Sequence, residues 1–374
     1  MTSKIDRRQW LAMLGSLTAW PAVAAPRATA APSSQPRPEI RPGDALRFPR
    51  NFGAHPEFRT EWWYITGRLL TAERQTLGFQ VTFFRSRVDT AQDNPSHFAA
   101  KQLILAHAAI TDVAGRQLLH DQRIAREGLG LAGATLDDTH VHLKDWSLQR
   151  TGSSGSPSLY QAQVKAQDFG FALAMRSTQA PLVQGQAGYS RKGPLPSQAS
   201  RYYSQPQLAV TGQVTLHGKA QAVTGQAWMD HEWSEGLLAP EAVGWDWIGM
   251  NLRDGSALMA FRLRRQDGST LWAGGSFRTP GQAARIFKPD EVRFSPGRTW
   301  QSPATHATYP VEWQVATPAG RFTVRAMLDA QELAGQQSTG TVYWEGLSEL
   351  RDASQRVVGD GYLEMTGYAN PMVL

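Results

Sequence analysis

Three titratable residues, Asp230, His231 and Glu232, stand consecutively between Trp228 and Trp233 in the segment GQAWMDHEWSEG. Carboxylates and imidazoles are the groups that proteins use for acid–base catalysis and for binding metal ions. Successive side chains of a β-strand, however, point to opposite faces. If the segment is a strand, Asp230 and Glu232 share one face with Trp228, whereas His231 shares the other face with Trp233. Strand geometry therefore separates the histidine from both acids.

The face that carries His231 is the better candidate for lining an apolar cavity. Met229, His231 and Trp233 would place one group that titrates near neutral pH among apolar side chains. His231 has two open interpretations, a structural histidine held by hydrogen bonds or a residue that contacts a ligand and moves a proton. The Asp230 face points either to solvent or to an interface between domains. We predict a catalytic set of His231 with Asp230 or Asp246 as the neighbouring acid.

The 13 tryptophans of the chain are the second feature that suggests a binding site. Each tryptophan buries a large apolar surface and needs a partner for its indole N–H. Most of them are expected to fill the core, and a subset near the opening and closing strands would form the wall of a cavity. Aromatic rings on such a wall also stabilise a cation. The predicted ligand-binding residues are Trp63, Tyr64, Trp228, Trp233, Trp245 and Trp247.

Other chemistries have less support in the sequence. His140 and His142 would share one strand face and could chelate zinc if a third ligand converged, but a half-exposed face with two histidines is the simpler interpretation. Paired carboxylates, either the two acids of the opening segment or Glu61 with Asp246, would suit glycoside hydrolysis if they lay about 5–9 Å apart. The chain has no cysteine, no Gly-x-Ser-x-Gly motif and no phosphate-binding glycine loop. We predict no metal site and no cofactor.

Residues 1–30 are typical of an export signal. They contain a basic start with adjacent Arg7 and Arg8, an apolar run over 10–19 that is too short to span a bilayer, and small-residue cleavage patterns. The arginine pair resembles a twin-arginine signal, and a chance pair in an ordinary signal is the alternative. Half of the net charge of +6 lies in this segment, so the charge does not support nucleic-acid binding. We predict a periplasmic or secreted protein.

The rest of the chain is patterned as β-structure. Residues 31–51 are rich in proline, serine and alanine and predict a disordered leader. Beyond them, aromatic and β-branched runs alternate with turn signals at intervals of about 8–12 residues, which is typical of an all-β barrel or sandwich. The pattern begins again in the second half, because residues 245–265 match residues 62–87 in kind. We predict two related antiparallel β-barrel domains, over 52–237 and 244–374.

Three motifs resemble one family. EWWYITGRL, then GQAWMDHEWSEG followed by WDWIGMNL, and finally GYLEMTGY are similar to motifs of the lipocalin-like family that contains AttH-type exported proteins and carotenoid 1,2-hydratases. The resemblance implies two packed lipocalin-like (calycin) barrels, an apolar ligand site and export. For the hydratases it implies an acid near a His-x-Trp pair, here similar to His231 and Trp233, that protonates an isoprenoid double bond. The family's acid belongs to a Tyr-x-Asp pattern, and the matching strand over 256–263 contains neither residue.

Three functional hypotheses follow. The leading one is an exported protein that binds a hydrophobic small molecule, a lipid or an isoprenoid, in a tryptophan-lined cavity, where the long loop over 184–204 would be a lid or binding loop. The first alternative is a hydro-lyase of the hydratase type, or a related polyene-modifying enzyme, that uses His231 and a nearby acid; serine and metallo-hydrolase chemistry is not predicted. The second alternative is an accessory protein of a membrane transporter. Neither a nucleic-acid partner nor a transmembrane segment in the mature chain is expected.

Overall fold

The computed structural model describes residues 37–372 except for 154–156, 237, 336–337 and 339, so the predicted signal segment lies outside the described residues. Within that part of the chain there is no α-helix, and no helix that is long and apolar enough to cross a membrane. The strands are β1 (Thr60–Thr71), β2 (Thr76–Arg87), β3 (Gln102–Asp112), β4 (Gln117–Arg126), β5 (Ala132–Ala134), β6 (His140–Leu143), β7 (Trp146–Thr151), β8 (Leu159–Lys165), β9 (Phe169–Arg176), β10 (Leu182–Val183), β11 (Tyr189–Arg191), β12 (Ala199–Leu216), β13 (Lys219–Ser234), β14 (Gly244–Leu252), β15 (Ala257–Arg264), β16 (Thr270–Arg278), β17 (Arg285–Phe287), β18 (Arg293–Pro296), β19 (Thr299–Gln301), β20 (Thr308–Pro310), β21 (Glu312–Thr317), β22 (Gly320–Ala326), β23 (Glu332–Gly335), β24 (Thr341–Arg351) and β25 (Val357–Thr366), with short 3-10 helices at Arg50–Phe52, Asp89–Ala91 and Pro289–Glu291.

Two large antiparallel sheets contain nearly all of these strands, which confirms the predicted all-β class. The first sheet follows the order β4-β3-β2-β1-β13-β12-β9-β8-β7-β6-β5, with β10 and β11 also pairing with β12, and curls into a nearly closed barrel. The second sheet follows the order β17-β16-β15-β14-β25-β24-β22-β21-β18, with β23 pairing with β24. The strands β19 and β20 form a separate hairpin.

Both sheets share one pairing scheme. In the first sheet β1 lies between its hairpin partner β2 and the last strand β13, and in the second sheet β14 lies in the same way between β15 and β25. The segments that match in sequence therefore occupy equivalent places. The first sheet ends at Ser234 and the second begins at Gly244, and residues 35–374 pack as one compact unit. The domain limits 52–237 and 244–374 stay predictions.

Three apolar clusters explain why the strands around the junction are buried on both faces. One cluster fills the barrel of the first sheet, a second lies within the second sheet, and a third lies where the sheets meet. On β1, Trp63 and Ile65 belong to the barrel cluster, whereas Tyr64 between them belongs to the junction cluster with Trp228 and Trp247. The alternation of a strand is thus preserved, but both faces are buried in the middle of β1.

The described part of the predicted leader packs against the first sheet. Ile40 belongs to the barrel cluster and Phe48 packs against it. Asp44 also forms an ion pair with Arg201 at 2.9 Å. A few side chains of residues 37–51 therefore contact the first sheet, and the disordered leader over 31–51 stays a prediction.

Candidate functional site

A cavity of about 370 Å³ lies between the two sheets. The first sheet contributes side chains from β1, β2, β3, β4, β12 and β13, and the second contributes side chains from β14, β15, β24 and β25. An apolar cleft or cavity with a small number of polar groups is the usual form of a ligand site. The aromatic part of its wall includes Trp62, Tyr64, Tyr202, Trp245, Trp247 and Phe261. Five carboxyl-bearing side chains also line it, namely Glu61, Asp230, Glu232, Glu345 and Glu364.

The orientation of β13 decides which of its residues reach this cavity. Asp230 and Glu232 line it, whereas His231 is turned into the barrel of the first sheet. There the imidazole stacks against Trp63 at 4.8 Å and lies at the same distance from Trp233. The face that borders the cavity between the sheets is therefore the acidic one, and it is the face that points toward the other sheet.

Asp230 is held by three hydrogen-bond donors. The Tyr202 hydroxyl donates to Oδ2 at 2.8 Å, and the Ser204 hydroxyl and the indole N–H of Trp228 donate to Oδ1 at 2.5 and 2.8 Å. The indole N–H of Trp247 in turn donates to the Tyr202 hydroxyl at 3.1 Å. Burial raises the pKa of Asp230 to about 7, against the effect of these donors. Asp230 can therefore gain or lose a proton near neutral pH.

The second sheet contributes a pair of acids. Glu345 on β24 lies directly opposite Glu364 on β25 in the strand register. Burial, followed by the charge of Glu364, raises the pKa of Glu345 well above its ordinary value. Burial also raises the pKa of Glu364 to about 8, and Asp230 adds to this across the cavity. Acids from the two sheets thus face each other, and the pair on the second sheet keeps its protons at neutral pH.

Glu232 has its own cation. Lys192, which belongs to the loop predicted as a lid, places Nζ 2.9 Å from Oε1 of Glu232. The same ammonium lies 4.7 Å from the ring centre of Tyr202 and 4.4 Å from that of Phe261. Since Tyr202 is on β12 and Phe261 is on β15, Lys192 joins the two sheets at the cavity wall.

Glu61 connects the cavity to the barrel interior. Its Oε1 lies 2.8 Å from both Nε2 of His231 and Nδ1 of His55, and its Oε2 accepts a hydrogen bond from Nε of Arg85 at 2.8 Å. Burial opposes ionisation, but hydrogen bonds from both histidines and the charge of Arg85 hold the pKa of Glu61 well below its usual value. Burial lowers the pKa of His231 to about 4. The group is therefore a carboxylate–guanidinium pair hydrogen-bonded to the neutral imidazole of His231 and to His55.

The same residues are the potential metal ligands of the described chain. One ligand atom each from His55, Glu61 and His231 lies within 4.8 Å of the other two, and two imidazoles with a carboxylate form a set that binds zinc. Here those atoms hydrogen-bond to one another, and Arg85 already neutralises Glu61. The arrangement fits a hydrogen-bonded network better than a metal site. No third ligand joins His140 and His142 within the residues that the structure covers.

The predicted catalytic residues lie in three different places. Asp230 lines the cavity, His231 lies in the barrel, and Asp246 points into the second sheet. There Asp246 accepts a hydrogen bond from Arg262 at 2.7 Å and another from the Tyr368 hydroxyl at 2.8 Å. The structure therefore brings none of these three side chains together.

The predicted ligand-binding residues divide between the cavity and the cores. Tyr64, Trp245 and Trp247 line the cavity. Trp228 lies behind Asp230 and donates a hydrogen bond to its carboxylate. Trp63 and Trp233 are buried in the barrel. Sequence reasoning missed Glu345, Glu364 and Lys192 as residues of the site. An acid within an otherwise apolar strand was the available signal at both Glu345 and Glu364.

These features define an all-β protein of the lipocalin-like type with an acid-lined apolar cavity between two sheets. The chain belongs to the AttH-like family, whose model matches residues 39–368. It is 44% identical in sequence to an AttH-like protein of Nitrosomonas europaea, whose crystal structure superimposes with a TM-score of 0.82 over 88% of this chain and 99% of that one. The family resemblance and the lipocalin-like fold predicted from the three motifs are thereby confirmed.

Two hydratases are more distant relatives. Kievitone hydratase of Fusarium solani subsp. phaseoli is 24% identical over 237 residues, and the match spans 59% of this chain and 65% of the length of that protein. The crystal structure of kievitone hydratase from Nectria haematococca has a TM-score of 0.67 at 15% identity, over 89% of this chain and 97% of that one. The second comparison shows a shared fold.

The raised pKa of Glu364 predicts a specific pH dependence of stability. An acid whose pKa is higher in the folded state stabilises the fold at low pH, and this contribution is lost as the pH rises from about 4.5 through about 8. Glu364→Gln removes the group. As the pH rises over that window, the free energy of unfolding of the variant should therefore increase relative to that of the wild type by at most about 1.4 kcal/mol per pH unit. Urea unfolding of both proteins between about pH 5 and 8 measures the difference. If the free energies of unfolding of the two proteins change in parallel with pH, the raised pKa of Glu364 is contradicted. Glu349→Gln, which removes an acid paired with Arg351 outside the cavity, is the control.

Proposed function

We propose that the protein binds an apolar, unsaturated small molecule in the cavity between the sheets and adds water across one of its carbon–carbon double bonds. The observation that carries the proposal is the buried pair Glu345 and Glu364, which keeps its protons near neutral pH on a wall that is otherwise largely aromatic. An acid of this kind is what protonation of a double bond requires, since a catalytic acid must still hold its proton at the working pH.

The residues of the cavity can be given roles in such a reaction. Glu345, whose Oε1 lacks an aligned protein partner, transfers its proton to one alkene carbon and forms a C–H bond. The other carbon becomes cationic, and the faces of neighbouring rings such as Trp245 and Trp247 stabilise it. Water forms the C–O bond and passes a proton to Asp230, whose pKa of about 7 suits a base. Return of that proton to Glu345 leaves the net addition of one water molecule.

The comparisons support the class of reaction. The relative from Fusarium solani is named for a hydratase activity, and the proposal takes from that likeness only the addition of water. The proposed acid differs from the one expected by resemblance. The strand that matches the Tyr-x-Asp pattern contains neither tyrosine nor aspartate, and His231 faces the barrel. Glu345 and Glu364 supply the missing acid from the opposite sheet.

Ligand binding without chemistry is the second candidate, and the aromatic wall by itself favours it. Both candidates use the same cavity, so the decisive difference is the fate of the ligand. Export, with a periplasmic or secreted location, remains a prediction of residues 1–30, and an accessory role beside a membrane transporter remains a hypothesis.

Incubation with a panel of terpenoid and prenylated alkenes in D2O tests the proposal. Hydration should give products that have gained one D2O, with one new C–D bond and one new hydroxyl group, as seen by mass spectrometry and NMR. Glu345→Gln should bind the same compounds, followed by tryptophan fluorescence, without converting them. Tight binding with no product and no deuterium exchange into any ligand would overturn hydration in favour of the carrier.

A further inference from the structure

The cavity between the sheets holds more carboxyl groups than cations. Two of its five acids are ion-paired, Glu61 with Arg85 at 2.8 Å and Glu232 with Lys192 at 2.9 Å. Within the described residues no lysine or arginine pairs with the other three, which are Asp230, Glu345 and Glu364. Buried acids without a cationic partner are unusual, because burial of a carboxylate is costly unless a positive charge accompanies it.

Two polar atoms on the wall make no hydrogen bond of good geometry in the described chain, the hydroxyl of Tyr64 and Oε1 of Glu345. The two groups lie close enough to each other for a hydrogen bond between them. Both side chains are almost completely buried, at 5% and 3% exposed, and both line the cavity. Since buried polar groups are nearly always hydrogen-bonded in native proteins, this poorly aligned pair leaves hydrogen-bonding capacity on the wall for a ligand.

The wall already accommodates one ammonium group. Nζ of Lys192 lies over the rings of Tyr202 and Phe261 at 4.7 and 4.4 Å while it pairs with Glu232. Ring faces and a carboxylate together form the environment in which proteins bind ammonium ligands. Trp245 and Trp247 continue the aromatic wall toward the three unpaired acids.

We propose that this cavity binds an organic cation, an apolar molecule with a tertiary or quaternary ammonium group whose charge is balanced by Asp230, Glu345 and Glu364. The apolar chain of the ligand lies along the aromatic wall. The inference rests on the proposed function only in taking this cavity as the ligand site, and it does not require hydration.

Binding of a cation should release protons. Burial raises the pKa of Glu364 to about 8, and a bound cation favours its ionised form. Affinity should therefore rise between about pH 6 and 8. Besides the three unpaired acids, the titratable groups that face the cavity are the Glu61–Arg85 and Glu232–Lys192 pairs and three tyrosines, Tyr64, Tyr202 and Tyr343. Burial raises the pKa values of these tyrosines well above 10 and lowers the pKa of His107, behind Tyr343, to about 4.

Isothermal titration calorimetry with three chain-matched probes tests the inference on the full chain. Decyltrimethylammonium should bind at least about tenfold more tightly than neutral undecanol, and decanoate should bind most weakly. Titrations in two buffers of different ionisation enthalpy should show proton release with the ammonium probe alone. Equal affinities of the ammonium and the alcohol, or no proton release, would overturn the proposal.

Variants locate the binding site. Glu364→Gln should lower the affinity for the ammonium probe by about tenfold and leave the affinity for undecanol unchanged. Glu349→Gln, outside the cavity, should change neither affinity. Unchanged ammonium affinity in Glu364→Gln would count against the site, and if that variant does not fold, the buffer comparison on the wild type decides. Hydration without ammonium selectivity would overturn this inference alone. Ammonium binding without hydration would overturn the proposed reaction alone.

Discussion

Replacing Arg85 with methionine is expected to lower the free energy of unfolding by about 3–5 kcal/mol, because it leaves the Glu61 carboxylate buried without its cation. The guanidinium also donates to Oε1 of Gln102 at 2.7 Å and to the backbone carbonyls of His55 and Phe58 at 3.0 and 2.9 Å. Its side chain is 1% exposed, so water cannot replace these contacts. Equilibrium unfolding in urea at neutral pH measures the loss.

Arg351→Met is the matched control for this prediction. Arg351 also pairs with a glutamate, Glu349, at 2.6 Å, but both side chains are 26% exposed. Partly exposed ion pairs contribute about 0–1 kcal/mol, so the control should change little. The loss in Arg85→Met should also shrink at acidic pH, since Glu61 without its cation takes up a proton at a higher pH than in the wild type. Equal effects of the two substitutions would show that the Glu61–Arg85 pair is not needed for stability.

Glu345→Gln is expected to reduce kcat/KM of the proposed hydration by about 10²–10⁴-fold, the usual contribution of a catalytic acid. Glutamine has the size of the protonated acid and keeps the cavity neutral, but it cannot transfer a proton. Substrate affinity and the free energy of unfolding should therefore stay close to those of the wild type. Steady-state kinetics with the best substrate of the alkene panel, together with urea unfolding, separates the two effects.

The neighbouring acid provides the comparison for the catalytic test. If Glu345→Gln retains full activity while Glu364→Gln loses it, the proton donor is Glu364 and the pair remains the acid. Full activity in both variants, or in the double variant, would rule out the pair. Glu349→Gln on the same strand as Glu345 should be indistinguishable from the wild type.

Much of the fold was accessible from the sequence, whereas the site was accessible only in part. Turn signals and alternating patterns predicted an all-β chain, and the similarity between the two halves predicted equivalent sheets, as the pairings of β1 and β14 show. The same patterns predicted Tyr64, Trp245 and Trp247 as ligand-binding residues, and these line the cavity. They also led to His231 as the central group, which the structure places inside the barrel.

The sequence by itself determined that Asp230 and Glu232 lie on one face of a strand and His231 on the other, because the two-residue period of a β-strand is a local property. Only the tertiary structure decided which face borders the cavity between the sheets, since the barrel buries one face of β13 and the second sheet buries the other. Burial on both sides removes the contrast between apolar and polar faces that sequence patterns report. The pairing of Glu61 with His231, 170 residues apart, and the meeting of Asp230 with Glu364 likewise depend on packing between distant strands.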